Sequence, residues 1–378
     1  MEDKHILMIP GPTPVPEKVL KSLGKPPIGH RSGDFSKVIA EINQNLKWLH
    51  QTKNEVLSLN VSGTGAMEAG MINFLSPGDR VLVGVNGKFG DRWAQICEVF
   101  GLQTERITAE WGTPLDTEEI RAKLEADSNK EIKAVVITHS ETSAGVLNDL
   151  ETINKHVKAH GEALIIVDAV TSLGAYNLPI DDWGLDVVAS GSQKGYMIPP
   201  GLGFISVSDK AWKAYETSKF PRFYMDLGKY KKANAKASTP FTPPINLMFG
   251  LQTALQMMQR EGLENIFARH ARLTQATRAA ARAIGLELLA PDDAASTAVT
   301  AIKSDDAEAI RSTMRQKYDI ALAGGQDHLK GKIFRIGHLG FVSDRDILMT
   351  ISCLEATLIE LGHDLKPQSG VKAAAALV

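Results

Sequence analysis

Short apolar runs rich in valine and isoleucine alternate along this chain with longer segments of helical periodicity. The runs lie at residues 81–85, 134–138, 164–168, 187–190 and 203–207. Strands separated by helices pair in parallel, because each helix covers a face of the sheet and returns the chain to the same edge. The sequence therefore predicts an α/β fold with a mainly parallel sheet and a ligand site at the carboxyl ends of its strands.

The second half of the chain indicates a further domain. A long helical pattern begins near Leu247 and continues past Gly262. We interpret it as the link between a large domain at residues 21–260 and a smaller α+β domain at residues 261–365. Residues 366–378 contain proline, glycine and an alanine run, which predict a flexible tail.

Composition excludes several classes of protein. The formal net charge is −2 and the charges are scattered, so nucleic acid is not an expected partner. The two cysteines, Cys97 and Cys353, form neither a disulfide framework nor a metal-binding spacing, and we expect no metal site. The chain starts with polar residues and has no long apolar segment, which predicts a soluble, cytoplasmic enzyme that does not contact a membrane.

One lysine follows a buried strand. The run at residues 187–193 brings Lys194 into a turn of small residues, where a desolvated ammonium has a lowered pKa and suits Schiff-base chemistry. Another apolar run ends earlier in the chain at Asp168. Pyridoxal phosphate (PLP) needs such a lysine, and a carboxylate that keeps its ring nitrogen protonated. Each residue alone has a simpler interpretation: Lys194 is solvated, and Asp168 caps the next segment.

A glycine-rich turn provides a candidate phosphate site. Residues 56–60 read as a strand, and residues 61–68 lead from it into a helix. Free N–H groups and the helix dipole favour a phosphate at such a turn. The turn has no Gly-Lys-Ser/Thr and is not a P-loop, and many similar turns bind nothing.

Seven ordered segments, spread over nearly the whole chain, carry a family resemblance. They lie at residues 10–16, 62–65, 84–90, 138–145, 167–174, 190–194 and 334–340. Together they resemble the class V PLP-dependent aminotransferases, most closely the alanine–glyoxylate and serine–glyoxylate or serine–pyruvate branch. The resemblance implies PLP-dependent transferase fold type I, with a mainly parallel seven-stranded sheet in the large domain. It also implies a homodimer with active sites at the subunit interface, where residues 1–20 contact the partner.

The same resemblance implies roles for individual residues. The cofactor phosphate would be held by three residues of the glycine-rich turn, by the neighbour of the lysine and by one residue from the other subunit: Thr64, Gly65, Ala66, Gln193 and Thr242. The cofactor ring would be contacted by Phe89 stacked on one face, Val170 on the opposite face and the hydroxyl of Thr142 beside the ring oxygen. Simple core packing is the alternative for Phe89 and Val170.

Arg335 is the candidate for substrate binding. It sits inside the apolar run at residues 333–337, where an unpaired charge is costly. A planar guanidinium there suits a bidentate grip on an amino acid carboxylate, and the alternative is a structural ion pair with a buried acid. His30 and Arg31 either approach the site or belong to a solvated loop.

These residues favour transamination by a ping-pong mechanism through a Lys194 Schiff base. The expected donor is alanine or serine and the expected acceptor glyoxylate or pyruvate, because a single carboxylate clamp favours small monocarboxylic amino acids. One alternative is a lyase or desulfurase-type enzyme on the same fold. A desulfurase needs a reactive cysteine before the Arg335 segment, and residues 323–331 contain none. The other alternative is a non-catalytic PLP-binding subunit of a larger complex.

Overall fold

A computed structural model describes residues 5–378 of the chain. The strands are β1 Ile6–Met8, β2 Val56–Leu59, β3 Arg80–Val85, β4 Gln103–Thr108, β5 Ile132–Thr138, β6 Ser140–Glu141, β7 Val146–Leu147, β8 Leu164–Asp168, β9 Val187–Gly191, β10 Gly203–Val207, β11 Glu287–Leu288, β12 Val299–Lys303, β13 Ile320–Gly324 and β14 Ile333–Gly337. The α-helices are α1 Glu17–Leu23, α2 Gly33–Leu49, α3 Gly63–Ile72, α4 Lys88–Val99, α5 Thr117–Ala126, α6 Leu150–His160, α7 Ile180–Trp183, α8 Asp209–Thr217, α9 Leu227–Asn234, α10 Ile245–Glu261, α11 Leu263–Ala283, α12 Ala307–Tyr318, α13 Asp344–Glu360 and α14 Ser369–Ala375. A short 3₁₀ helix spans Asp327–Leu329.

The large sheet has seven strands in the order β2-β10-β9-β8-β5-β3-β4. All neighbours pair in parallel except β10, which is antiparallel to both β2 and β9. Because two reversals cancel, the carboxyl end of β2 lies at the same edge as those of β3, β5, β8 and β9. The predicted mainly parallel seven-stranded sheet is confirmed, and its carboxyl edge collects the segments that follow six strands, β4 included.

Both faces of the large sheet are buried, because successive side chains of a strand point to opposite faces. Val135, Ile137 and Ile165 belong to an apolar cluster that includes residues of α2, α5, α6 and α10. Val136 and Ile166 belong to the cluster on the other face, with residues of α3 and α4. The central strands are therefore largely apolar, whereas the edge strand β4 is polar, and the polar residues that follow the central strands at the sheet edge are conspicuous in the sequence.

A five-stranded sheet forms the core of the small domain, in the order β1-β13-β14-β12-β11. Strand β1 comes from the N-terminal segment and pairs in parallel with β13. Side chains of α11, α12, α13 and α14 complete the apolar cluster on this sheet. Ile6–Met8 thus belongs to the small-domain sheet, and the contact of residues 1–20 with a partner subunit stays a prediction.

The long helical pattern after Leu247 is two helices and not one. Helix α10 ends at Glu261 and α11 begins at Leu263, and Gly262 between them has a φ of +83°. A residue with a side chain rarely adopts that backbone conformation, so the glycine sets the change of direction. None of the helices within residues 5–378 is long and apolar enough to cross a membrane.

The C-terminal residues form helix α14, which differs from the expected flexible tail. Glu355 of α13 accepts hydrogen bonds from the backbone N–H groups of Gln368, Gly370 and Val371, at 2.9, 2.5 and 3.3 Å. Ala374 is fully buried in the small-domain core. A helix of seven residues is too short for its periodicity to be recognised, and tertiary contacts stabilise it.

Replacing Glu355 tests this anchor. We expect Glu355→Ala to lower the free energy of unfolding by about 1–3 kcal/mol, because several buried N–H groups lose their acceptor. The control is Glu360→Ala on the same helix, whose solvent-exposed ion pair with Lys317 contributes little to stability. Urea unfolding of both variants measures the difference, and equal midpoints would show that α14 is not anchored by Glu355.

Candidate active site

A cavity of about 360 Å³ opens at the carboxyl edge of the large sheet. Its wall is formed by turns that follow β2, β3, β8 and β9, together with the segment after β1. Six of the residues predicted from the sequence line this cavity: Thr64, Phe89, Asp168, Val170, Gln193 and Lys194. Residues far apart in the chain therefore meet at one site, as the parallel topology requires.

Lys194 is buried in the wall of the cavity. Its side chain Nζ donates a hydrogen bond of 2.6 Å to the carbonyl oxygen of Pro10. Burial lowers the pKa of the ammonium to about 8; nearby Asp168 opposes this effect, and Arg335 and Arg92 add to it. The fraction of Lys194 present as the neutral amine that can attack a carbonyl is therefore larger at neutral pH than for an exposed lysine, although most of it is still protonated at pH 7. The alternative, a solvated Lys194, is wrong, because the side chain is buried.

The segment after β1 covers the lysine, a contact that the sequence did not predict. Gly11 has a φ of +148°, and a Cβ atom placed on it would lie 2.6 Å from Lys194 Nζ. Thr13 fixes the same segment, because its hydroxyl donates to the Lys194 carbonyl oxygen at 3.0 Å and its N–H donates to the Gln193 carbonyl oxygen at 3.0 Å. Gly11 is thus required both for its backbone conformation and for the close approach.

Asp168 is the last residue of β8 and is buried beside Lys194. Its Oδ1 accepts the backbone N–H of Val170 at 2.8 Å, so one carboxylate oxygen does cap the following turn. No hydrogen bond within residues 5–378 reaches Oδ2, which is left for a donor in the cavity. Burial raises the pKa of the carboxyl to about 6, and Lys194 and Arg92 partly oppose this effect. A protonated ring nitrogen is the donor that such a carboxylate suits.

The glycine-rich turn at residues 61–68 has free backbone N–H groups, but those of Gly65 and Ala66 are already used within the protein. The Gly65 N–H donates to the capping hydroxyl of Ser62 at 3.4 Å, and the Ala66 N–H donates to the Ser62 carbonyl at 3.0 Å. Ala66 is fully buried and does not line the cavity. The N–H groups of Gly63 and Thr64 have no protein acceptor within the described chain. These two groups and the Thr64 hydroxyl are therefore free to bind an anion at the start of α3.

The side-chain amide of Gln193, next to Lys194, has a buried oxygen, Oε1, without a hydrogen-bond partner among residues 5–378. Because the two ends of an amide are assigned only from their partners, the same group can present its NH₂ to an anion. These groups fit PLP. The amide of Gln193 and the free N–H groups of α3 suit its phosphate, the Lys194 amine suits its aldehyde, and the free oxygen of Asp168 suits its ring nitrogen.

Phe89 is held in the cavity wall by a buried acid. The N–H groups of Phe89 and Gly90, at the start of α4, each donate to Glu141 Oε2 at 3.0 Å. The other oxygen of Glu141 accepts the hydroxyl of Ser143 at 2.5 Å. Glu141 is fully buried, and desolvation raises the pKa of its carboxyl. Sequence reasoning missed this role of Glu141, since nothing in the spacing links it to α4.

Arg92 is a second cavity residue that the sequence analysis missed. It lies one turn after Phe89, with its guanidinium carbon 4.9 Å from the centroid of that ring. Its Nη1 donates to the Thr64 hydroxyl oxygen at 3.0 Å. The i, i+3 spacing of Phe89 and Arg92 on a helix was the signal available, because side chains three apart share a face.

Arg335 lies on β14, outside the lining of the cavity, and is held by main-chain oxygens. Its Nη1 donates to the Thr142 carbonyl at 2.7 Å, and its Nε and Nη2 donate to the Gly324 carbonyl at 3.0 and 2.7 Å. A guanidinium has five N–H groups, so one remains on each terminal nitrogen. No ion pair of the described chain involves Arg335, contrary to the structural alternative. Burial lowers its pKa to about 10, which leaves it charged at neutral pH.

Other predicted residues lie elsewhere. Thr142 is buried next to Arg335 and does not line the cavity. Thr242 is exposed, and its carbonyl accepts a hydrogen bond of 2.9 Å from Asn60, so its reach to the other subunit stays a prediction. Arg31 donates to the 238–239 loop, and neither it nor His30 lines the cavity.

The cysteines lie away from the site. Cys97 is fully buried in the core, and burial raises the pKa of its thiol to about 12. Cys353 lies on α13 in the small domain, and neither cysteine lines the cavity. Within residues 5–378, no group of three or more His, Cys, Asp or Glu side chains is placed to hold a metal ion.

Comparison with known proteins assigns the family. The sequence model described as aminotransferase class-V matches residues 7–337. The chain belongs to the class V aminotransferases. The cofactor of this family is PLP, as the sequence predicted, and the structure has fold type I.

Individual class V relatives cover nearly the whole chain. A protein of Anabaena cylindrica named soluble hydrogenase 42 kDa subunit is 67% identical, with 99% of both chains aligned. An L-aspartate–glyoxylate aminotransferase of Paracoccus denitrificans is 38% identical over 99% of this chain and 96% of its own. A serine–glyoxylate aminotransferase of Methylorubrum extorquens is 38% identical over 98% and 95%. The solved structure of an alanine–glyoxylate aminotransferase from Nostoc sp. has a TM-score of 0.89 at 31% identity, covering 94% of this chain and 95% of its own.

The contact between Gly11 and Lys194 can be tested by one methyl group. Gly11→Ala should displace the lysine side chain, because the added Cβ would overlap it and the backbone conformation would be strained. We expect a large loss of covalently attached PLP, measured by mass spectrometry after borohydride reduction. Gly29→Ala is the control, since no heavy atom lies within 4 Å of that Cβ. Full labelling of Gly11→Ala would contradict the close approach.

The lowered pKa of Lys194 predicts how cofactor attachment depends on pH. Only the neutral amine attacks a carbonyl, so the attachment rate of PLP to the cofactor-free protein should rise with pH and level off above about 8. An exposed lysine would level off near its ordinary value of 10.5. Stopped-flow absorbance measures the rate, with Lys194→Ala as the blank. A rate that continues to rise well above pH 8 would show that the ammonium is not desolvated.

Proposed function

We propose that this chain is an aminotransferase that moves the amino group of alanine or serine to glyoxylate or pyruvate. The observation that carries the proposal is the pair of functional groups in the wall of one cavity. The Lys194 amine is buried against the Pro10 carbonyl, and Asp168 next to it keeps one carboxylate oxygen without a protein donor. A reactive amine beside a carboxylate aimed at a ring nitrogen is the arrangement that amino-group transfer on PLP needs.

Each residue would have a separate task. PLP, when bound, supplies a ring that accepts the electron pair released from the amino acid. Asp168 would hold the ring nitrogen protonated through its free oxygen. Lys194 would carry the proton removed from the substrate α-carbon, because its buried amine is about half protonated near pH 8 and can both accept and return a proton. The ping-pong order, with donor before acceptor, follows from one site serving both half-reactions.

Arg335 is proposed to bind the substrate carboxylate. One N–H remains on each terminal nitrogen, which is enough for a bidentate bond to a carboxylate. No acid of the described chain forms an ion pair with it, and the buried carboxyl of Glu141 acts on it only through space. The relatives named for aspartate–glyoxylate and serine–glyoxylate transfer, and the structure named for alanine–glyoxylate transfer, share glyoxylate as acceptor. They support glyoxylate more strongly than any one donor, so aspartate belongs among the donors tested.

A second candidate function is a non-catalytic PLP-binding subunit of a larger complex. It is favoured by the names of two relatives at 67% identity, which are called soluble hydrogenase subunits. In that role the chain would still bind the cofactor. A desulfurase is not favoured, since neither cysteine lines the cavity.

The subunit arrangement is also a proposal. We propose a cytoplasmic homodimer in which Thr242 reaches the phosphate site of the other subunit. The exposed position of Thr242 and the exposed side chains of Phe223 and Tyr224 near Phe241 support such a contact.

Single-turnover absorbance of the PLP-loaded protein tests the proposed activity. The protein is mixed separately with alanine, serine, aspartate and glutamate, and then with glyoxylate or pyruvate. We expect the band of the lysine-bound cofactor to disappear with a small donor and to return with a 2-oxo acid. Lys194→Ala should show neither change, and Asp168→Asn should bind cofactor but respond far more slowly.

The other outcomes separate the alternatives. Release of ammonia or carbon dioxide without stoichiometric keto acid would indicate a lyase. A response to aspartate alone would overturn the proposed small donors while leaving transamination in place. No response to any donor, together with unchanged assembly of Lys194→Ala into a complex, would favour the non-catalytic subunit.

A further inference from the structure

Arg92 is a charged side chain in the cavity wall to which the residue roles above give no task. It stands between two groups expected to contact the cofactor, the Phe89 ring and the Thr64 hydroxyl. No ion pair among residues 5–378 involves Arg92. The carboxylate of Asp168 interacts with this charge through space but makes no ion pair with it, so the guanidinium is left available to an anion in the cavity.

The hydrogen bond between Arg92 and Thr64 has only one direction. A guanidinium donates and cannot accept, so the Thr64 oxygen must be the acceptor. The hydroxyl proton of Thr64 then has to be donated elsewhere, and no protein acceptor for it occurs within the described chain. It is left to an acceptor in the cavity, on the side where the N–H groups of Gly63 and Thr64 are also free.

We propose that Arg92 is a positioning residue for the cofactor phosphate: it fixes the Thr64 hydroxyl as a donor toward the phosphate and brings a positive charge to that end of the cavity. A phosphate accepts hydrogen bonds only, so a hydroxyl committed to donation suits it. This inference rests on PLP as the family cofactor and on the anion site at α3. It does not depend on which amino acid is the donor or on turnover.

A purely structural role for Arg92 would have a different signature. If the guanidinium only supported the Phe89 ring, its loss would weaken contact with the cofactor ring. Binding of PLP and of phosphate-free pyridoxal would then decrease equally. If Arg92 acts on the phosphate, only PLP is affected strongly.

The test compares the dissociation constants of PLP and pyridoxal for the cofactor-free full-length protein, measured by fluorescence titration. For Arg92→Met we expect the constant for PLP to rise at least about tenfold, the size of one hydrogen bond to a charged group. The constant for pyridoxal should change less than about twofold. Arg106→Met is the matched control, because Arg106 contacts the outside of the same helix through Asp91 and Glu98 and does not line the cavity.

A double-mutant cycle tests whether Arg92 acts through Thr64. Thr64→Val alone should weaken PLP and spare pyridoxal, and adding Arg92→Met should cost less than the sum of the two separate losses. Full additivity would overturn the orienting role. Equal weakening of PLP and pyridoxal by Arg92→Met, or unchanged PLP binding, would overturn the proposal as a whole.

Two further variants keep the test decisive if Arg92→Met does not fold. Arg92→Gln keeps an amide donor for Thr64 but removes the charge, and Thr64→Ser keeps the hydroxyl. Selective loss of PLP affinity in Arg92→Gln, with normal affinity in Thr64→Ser, supports the charge contribution. Unchanged selectivity in Arg92→Gln overturns it. Because binding is measured without substrate, failure here is distinct from failure of the proposed transamination, which would leave these constants unaffected.

Discussion

The burial of Lys194 against the Pro10 carbonyl is the constraint on which the rest of the site depends. It requires a glycine at position 11, because the Cβ atom of any other residue would overlap the lysine side chain. Thr13 bonds the same segment to the Lys194 carbonyl, and Gly340 of the small domain lies against both. Because β1, just before Pro10, is a strand of the small-domain sheet, one short segment joins the small domain to the reactive lysine.

The two arginines of the site are not paired with carboxylates. Arg92 and Arg335 are bonded to a hydroxyl and to main-chain carbonyls, and not to carboxylates. Burying a cation without an acid is unfavourable, but it leaves the charge available for an anionic ligand. Lys194 and Asp168 both line the cavity. Desolvation lowers the pKa of Lys194 to about 8 and raises the pKa of Asp168 to about 6. The arrangement suits a ligand with anionic groups at both ends and a titratable centre.

Much of the large domain could be predicted from sequence, because its strands are continuous β-branched runs and the functional residues follow directly after them. Lys194 and Asp168 were found in this way. Tertiary contacts decided the rest. Ala66 was assigned to the phosphate by resemblance, yet its N–H is already used inside the helix start. The role of Gly11 depends on a neighbour far away in the chain. Helix α14 is too short for a periodic signal and depends on a single acid of α13.

The names of the 67% identical relatives and the geometry of the cavity point to different roles, and physical cost helps to weigh them. A subunit that only bound the cofactor would not need a lysine with its pKa lowered by burial, since affinity can come from the phosphate site alone. The position of Gly11 tolerates no side chain, and burying Arg335 without an ion pair lowers stability. Proteins keep such features where they serve a site. The cofactor-facing features therefore favour catalysis.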